Sequence, residues 1–251
     1  MFTENVKLTE EHPRGRGRPP GRTSQGQAAQ LGLYKTAISL ISERGYEAAT
    51  LRDVAKREGV SVGLLYRYFP SKSAVVLRLY DELSADYAGR GMELKAGRWR
   101  ERFSLALNTS LQVLAPHRRV LAALVPVLVG DANEGLFAPP TAFSRQRVQK
   151  VFQDAVMYST DAPRREVAEA LAGVLYLIHL AIILFWLLDQ SPRQRATTGL
   201  LELIKAILPA AALTLRFPRA QKLVIAGNKL FQEAFLGERP VSTPKKSGPE
   251  D

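Results

Sequence analysis

Between residues 45 and 72 the chain is punctuated too closely for anything except short helices. Leu31, Tyr34, Ile38 and Ile41 recur at helical spacing over 27–44, and Gly45 suits a left-handed cap after them. Thr50 precedes Leu51-Arg52-Asp53, where its hydroxyl can cap a helix start while Asp53 reaches back. That helix has two turns before Gly59 ends it. Ser61 opens a second helix that must stop before Pro70, and Ser71 opens a long one over about 72–89. Two short helices joined by Glu58-Gly59-Val60-Ser61 make a helix-turn-helix, with glycine in the turn.

The rest of the chain reads as helix without convincing strand alternation, so the fold class is all-α. The spacing predicts helices over about 99–115, 117–129, 142–158, 163–189, 192–215 and 219–236. The stretch 130–140 is the most loop-like interior segment. Residues 170–188 contain no Lys, Arg, Asp or Glu and are long enough to cross a bilayer. His179 near the centre, arginines on both flanks and no second matching run argue instead for a helix buried between its own core and a partner subunit. Asp189-Gln190-Ser191-Pro192 predicts a tight turn, with Ser191 as cap, that makes the two longest helices antiparallel neighbours. Pro209 should kink the second of them.

Composition narrows the chemistry. The 251 residues contain no Cys and three scattered His, which excludes thiolate chemistry and disfavours a metal centre. No G-x-S-x-G, H-E-x-x-H or Walker motif is present, and Glu166 and Glu169 read as a solvated pair at a helix start. No enzyme activity, metal or cofactor is expected. The net charge of +11 favours an anionic partner such as nucleic acid. Met1 is followed by no apolar signal segment, so the expectation is a cytoplasmic protein without membrane association.

From Thr50 to Lys72 the cations Arg52, Lys56, Arg57, Arg67 and Lys72 outnumber Asp53 and Glu58. Leu51, Val54, Ala55, Val60, Leu65 and Phe69 fall on faces that can close a three-helix core and leave those cations outside. The segment 37–77 resembles the DNA-binding domain of the tetracycline-repressor-like (TetR) family. The resemblance rests on Ala37, Ile41, Gly45-Tyr46, Thr50, Val54-Ala55, Gly59-Val60-Ser61, Gly63, Leu65-Tyr66, Tyr68-Phe69 and Lys72. It implies a ligand-responsive transcriptional regulator, a repressor that binds a pseudo-palindromic operator in double-stranded DNA as a homodimer. An activator, or an architectural protein without effector release, is the alternative. The implied organisation is a flexible basic arm over 1–26, a helix-turn-helix domain over 27–75, a helical ligand-binding and dimerisation domain over 76–236 and a disordered tail over 237–251.

By the same resemblance Thr50, Tyr66, Tyr68 and Lys72 line contacts to the DNA backbone, and Arg52 can read a base. Ser61, Val62, Gly63 and Leu64 form the groove-facing start of the recognition helix, and Arg67 serves either base readout or a phosphate. In the arm, Arg16-Gly17-Arg18-Pro19 is similar to an AT-hook core, which inserts arginines into an A·T minor groove; plain phosphate attraction is the other reading. Phe137, Phe152, Tyr176 and His179 are candidates to line a site for a small apolar or amphipathic effector, or are simply core. Leu184, Leu188, Leu200 and Ile204 are candidates for a four-helix dimer interface.

Overall fold

The computed structural model describes residues 24–92, 94–131 and 133–237. The basic arm with Arg16 and Arg18, and the tail beyond Gly237, lie outside the described residues. All regular structure among the described residues is helical. Its order is α1 Ser24–Arg44, α2 Leu51–Arg57, α3 Val62–Tyr68, α4 Lys72–Gly91, α5 Trp99–Leu114, α6 Arg118–Ala123, α7 Val125–Gly130, α8 Ala142–Met157, α9 Arg165–Leu188, α10 Arg195–Thr214 and α11 Pro218–Phe231. A π-helical segment, Gln232–Leu236, closes the described chain.

Helix α1 starts at Ser24, inside the segment expected to be arm, and it buries Leu33, Tyr34, Ala37, Leu40 and Ile41. Leu31 is exposed and Ile38 half-buried, so the apolar stripe lies slightly round from the expected one. The expected boundary between residues 75 and 76 falls within α4. That helix closes the small N-terminal core through Val75 and Val76 and continues into the larger bundle, where it packs on α8 and α5.

In the larger bundle α8 packs on α9, α4 and α5, and α11 packs on α9. Buried Arg102 ties this bundle together without a carboxylate: its guanidinium donates to the carbonyls of Leu94, Lys95, Asp154 and Ala155, satisfying the open C-terminal end of α8. Arg118 does the same for α9, donating to the carbonyls of Trp186, Leu187 and Asp189.

Several expected elements differ in detail. The helix expected over 117–129 is divided at Leu124, because Pro126 at the start of α7 has no N–H to continue the ladder. At the 189–194 turn Ser191 caps α10 as expected, its Oγ accepting from Ala196 N at 2.9 Å, and Asp189 adds a second cap, accepting from the backbone N of Thr197 at 2.9 Å and from its hydroxyl at 2.6 Å. Hydrogen bonds from Thr197, then Ser191, hold the Asp189 carboxyl well below the usual carboxylate range. α9 has a more intimate partner in α11 than in α10. At Gly173 a methyl group would overlap Asn228 Oδ1, so glycine there permits the close approach of α11.

Among the described residues two helical segments, not one, are long and apolar enough to cross a membrane: Arg165–Leu188, with mean hydropathy 2.5, and Pro192–Thr214, with 1.5. The first is 44% buried in its most apolar stretch and the second only 11%. The first is therefore half a core helix. The second leaves an apolar face uncovered in a single chain.

Candidate nucleic-acid interface

The helix-turn-helix is assembled by its caps. Thr50 Oγ1 accepts from Asp53 N at 3.2 Å and donates to Asp53 Oδ2 at 2.7 Å, and Asp53 Oδ2 also accepts from Thr50 N. This reciprocal box starts α2. Ser61 Oγ accepts from Leu64 N and Ser71 Oγ from Ala74 N, starting α3 and α4. Gly45 and Gly59 take φ of +84° and +66°, as the turns require of residues free of a Cβ. Leu51, Val54, Ala55, Leu65 and Phe69 are buried and Val60 is half-buried, which closes the core as the pattern predicts.

That core turns one face outward. Arg52, Ser61, Val62, Gly63, Tyr66 and Arg67 are exposed, with Leu64 and Tyr68 half-buried beside them. Their cations differ in commitment. Arg57 is held by Glu43 through two bonds of 3.1 and 3.0 Å, whereas Arg52 and Arg67 make no ion pair among the described residues. Two exposed arginines, one in the first turn of α2 and one in the last turn of α3, with their donors unspent, can read base edges or phosphates. Thr50 is exposed at a helix N-terminus, but its hydroxyl is already engaged in the capping box.

Lys72 is more constrained than a free phosphate contact. Its ammonium donates to the Tyr46 carbonyl at 2.5 Å and sits 3.9 Å from the centre of the Tyr46 ring. The phenol of Tyr46 in turn donates to Glu134 Oε1 and Oε2 at 2.6 and 2.5 Å. Burial, then the hydrogen bond to Glu134, push the Tyr46 phenol far above its ordinary range, so it remains a donor. Nothing in the sequence flagged Glu134. A lone acid in a loop reads as solvated, and its partner lies 88 residues away.

In the larger bundle three of the four candidate effector residues, Phe152, Tyr176 and His179, meet directly. Phe152 packs at a tilt against Tyr176 and His179, and Phe137 reaches the same cluster through Phe231, which touches Tyr176. Phe152, Tyr176 and His179 are buried. His179 shares a 2.8 Å hydrogen bond with Ser110, while its Nδ1 has no partner among the described residues. Burial pushes the His179 imidazole down to about 3, so it is neutral near pH 7. Two surface clefts of about 530 and 510 Å³ lie elsewhere, at Arg118–Gln194 and beside Trp99, Asp161 and Pro209.

Of the interface candidates, Leu188 is 57% exposed, and Leu184, Leu200 and Ile204 are half-buried. Exposed Ile178, Phe185, Leu203 and Ile207 extend the same apolar surface along α9 and α10.

The sequence model described as bacterial regulatory proteins, tetR family, matches residues 33–79. The HTH-type transcriptional repressor KstR of Rhodococcus jostii is 52% identical over 40 residues, 16% of this chain and 19% of that protein. The HTH-type transcriptional regulator EthR of Mycobacterium tuberculosis is 34% identical over 112 residues, 43% of this chain and 51% of that protein. The chain thus matches about half or less of the length of these curated relatives. Solved structures under 25% identical share the fold. A tetR-family transcriptional regulator from Streptomyces coelicolor superposes with a TM-score of 0.55 at 19% identity, over 87% of this chain and 92% of its own. A bacterial regulatory protein in the tetR family from Rhodococcus RHA1 does so with 0.52 at 17%, over 71% and 96%.

Proposed function

We propose that this chain, whose residues 33–79 match the tetR family of bacterial regulatory proteins, is a cytoplasmic transcriptional repressor that releases its operator when a small molecule binds. One observation carries the reading. The capped helix-turn-helix leaves Arg52, in the first turn of α2, and Arg67, in the last turn of α3, exposed and without ion-pair partners among the described residues. Arg52 reads a base edge, and Thr50, Tyr66, Tyr68 and Lys72 contact the backbone on both sides of the groove.

The uncovered apolar faces of α9 and α10 support a homodimer built on four helices, since contiguous exposed apolar side chains of this kind mark interaction surfaces. A two-fold dimer places two α3 helices in successive major grooves of a pseudo-palindrome. The effector class is apolar or amphipathic, with Phe137, Phe152, Tyr176 and His179 as its lining; residues 79–251 are net basic, which favours an anionic head over a cation. The ligand acts by preferring the conformation that does not fit DNA. Arg16 and Arg18 insert into an A·T minor groove beside each half-site.

Footprinting the full-length protein on DNA flanking its own gene tests the reading. Two protected half-sites spaced by about one helical turn or a multiple support it. Coverage without half-sites, changing only with salt and base composition, overturns it in favour of architectural binding.

A further inference from the structure

The loop 131–138, between α7 and α8, holds a buried carboxylate that touches the DNA-binding unit. Its geometry is over-determined. Asp131 Oδ1 accepts from the backbone N of Asn133 and Glu134 at 2.6 and 2.7 Å, and Leu136 N donates to the Leu128 carbonyl at 2.9 Å. Thr141 Oγ1 bonds the carbonyls of Gly135 and Ala138, and Arg145 donates to that of Leu136. A Cβ at residue 135 would overlap the Asp131 carbonyl oxygen, so only glycine fits that bend.

The loop delivers Glu134, 6% exposed, against the N-terminal unit. There its carboxylate accepts from Tyr46 Oη, in the turn between α1 and α2, and from Ser73 Oγ, in the first turn of α4. It makes no ion pair among the described residues, and the donors to its side chain are the hydroxyls of Tyr46 and Ser73. Burying a carboxylate in that way is costly unless the partners stay in place. The other end of the loop reaches the aromatic cluster. Phe137 lies 4.8 Å from Phe235 and 5.8 Å from Phe231 between ring centres, and Phe231 lies 6.4 Å from Tyr176.

We propose that Glu134 is a positioning residue for DNA binding: it clasps Tyr46 and Ser73, and through Tyr46 it fixes both the pose of Lys72 and the angle of the helix-turn-helix on the larger bundle. This rests on the DNA-binding reading above and deepens it. The element with two arrangements is the clasp, closed or open. Repacking of Phe137 against Phe231 and Phe235 moves a loop too rigid to absorb the shift, so it is passed to Glu134. Both sites then bias one equilibrium, which is the physical requirement for coupling between them.

The test uses the full-length chain, the footprinted duplex, and the variants Glu134→Ala, Glu134→Gln, Tyr46→Phe and the double variant Glu134→Ala/Tyr46→Phe. Glu134→Ala should weaken binding by about 5–20-fold, with Glu134→Gln intermediate because its amide keeps one acceptor and one donor. The double variant should be no more than about twofold weaker than Glu134→Ala, as expected of two groups in one interaction. Because the chain has no cysteine, spin labels on Lys56→Cys and Gln112→Cys, both exposed, report the angle between the two units directly. Their distance distribution should broaden or shift in Glu134→Ala. Wild-type affinity in a folded Glu134→Ala or Glu134→Gln protein, multiplying losses in the double variant, or an unchanged distance distribution would each overturn the proposal. If the wild type binds no duplex, the DNA-binding reading fails, and the distance measurement still decides whether Glu134 sets the domain angle.

Discussion

The helix-turn-helix unit and the α9–α10 face solve the same burial problem by opposite means. Residues 50–72 make short helices whose ends are set by Thr50, Ser61, Ser71 and Gly59, and a core of small extent is enough because each helix end is satisfied locally. α9 and α10 have few polar residues to set their orientation and are long and apolar, yet α10 covers little of itself within the chain. Punctuation specifies a shape. Apolar content specifies only that something must cover it, and leaves the partner to the assembled molecule.

The sharpest way to break this contrast is to make the uncovered face hydrophilic. Leu188→Asp combined with Ile207→Asp places two carboxylates on surface that is exposed in the single chain. If a second copy covers it, each charge is desolvated without a partner, the dimer is lost, and operator affinity falls on the order of 100-fold or more. Sedimentation should show monomer or aggregate in place of a wild-type dimer. Unchanged assembly, or wild-type partition into lipid vesicles, would remove the face from the interface.

A smaller effect separates core from punctuation by pH. His179 is buried with its imidazole pushed down to about 3, so the unfolded chain takes up a proton there before the native state does. The folded-state value is depressed, and stability is therefore complete above the ordinary value near 6.5 and declines as pH falls toward 3. One such group costs about 1.4 kcal/mol per pH unit within that window. His179→Phe should remove this slope between pH 6 and 4.5, measured by urea unfolding at each pH. Equal slopes in both proteins would mean that His179 is not the group responsible.

What could be read in advance follows the same division. The caps at Thr50, Ser61 and Ser71 and the left-handed glycines at 45 and 59 were legible because each depends on neighbours within four residues. The break at Leu124 was missed although Pro126 signals it locally, since the apolar pattern runs through both halves. The second cap of α10, Asp189 beside the expected Ser191, comes with Arg193 and Gln194 adopting positive φ, which neither residue type favours. The packing of α11 on α9 through Gly173 and Asn228, and the contact of Glu134 with Tyr46, join residues far apart in the chain. Single-sequence periodicity carries no information about such pairs.

Within the punctuated unit, the exposed arginine and the tethered lysine should behave differently on DNA. Arg52→Ala should cost about 1–3 kcal/mol on the operator and relax preference at one base pair per half-site. Lys72→Ala should weaken specific and non-specific duplexes alike and lower the salt slope by about one. Fluorescence anisotropy on the operator and a scrambled duplex at several salt concentrations distinguishes them. Matching base preferences and slopes in the two variants would cancel the division of roles.

The smallest expected effect tests whether punctuation alone is what Thr50 supplies. Its hydroxyl both accepts from Asp53 N and donates to the Asp53 carboxylate, and the bonds that Thr50 Oγ1 and, less, Thr50 N donate to that carboxyl hold it below its usual range. Thr50→Ala removes the cap and should cost about 1 kcal/mol of stability, while Thr50→Ser keeps an equivalent oxygen and should restore it. If the same hydroxyl also meets a DNA phosphate, Thr50→Ala weakens every duplex by a factor larger than its stability loss explains, and Thr50→Ser recovers that as well. Thermal unfolding and duplex titration on the same three proteins separate the contributions. A loss of affinity without any loss of stability would make Thr50 a DNA contact and not a cap, and the start of α2 would then have to be held by the Asp53 carboxylate on Thr50 N alone, a single bond of 3.4 Å that is long for that task.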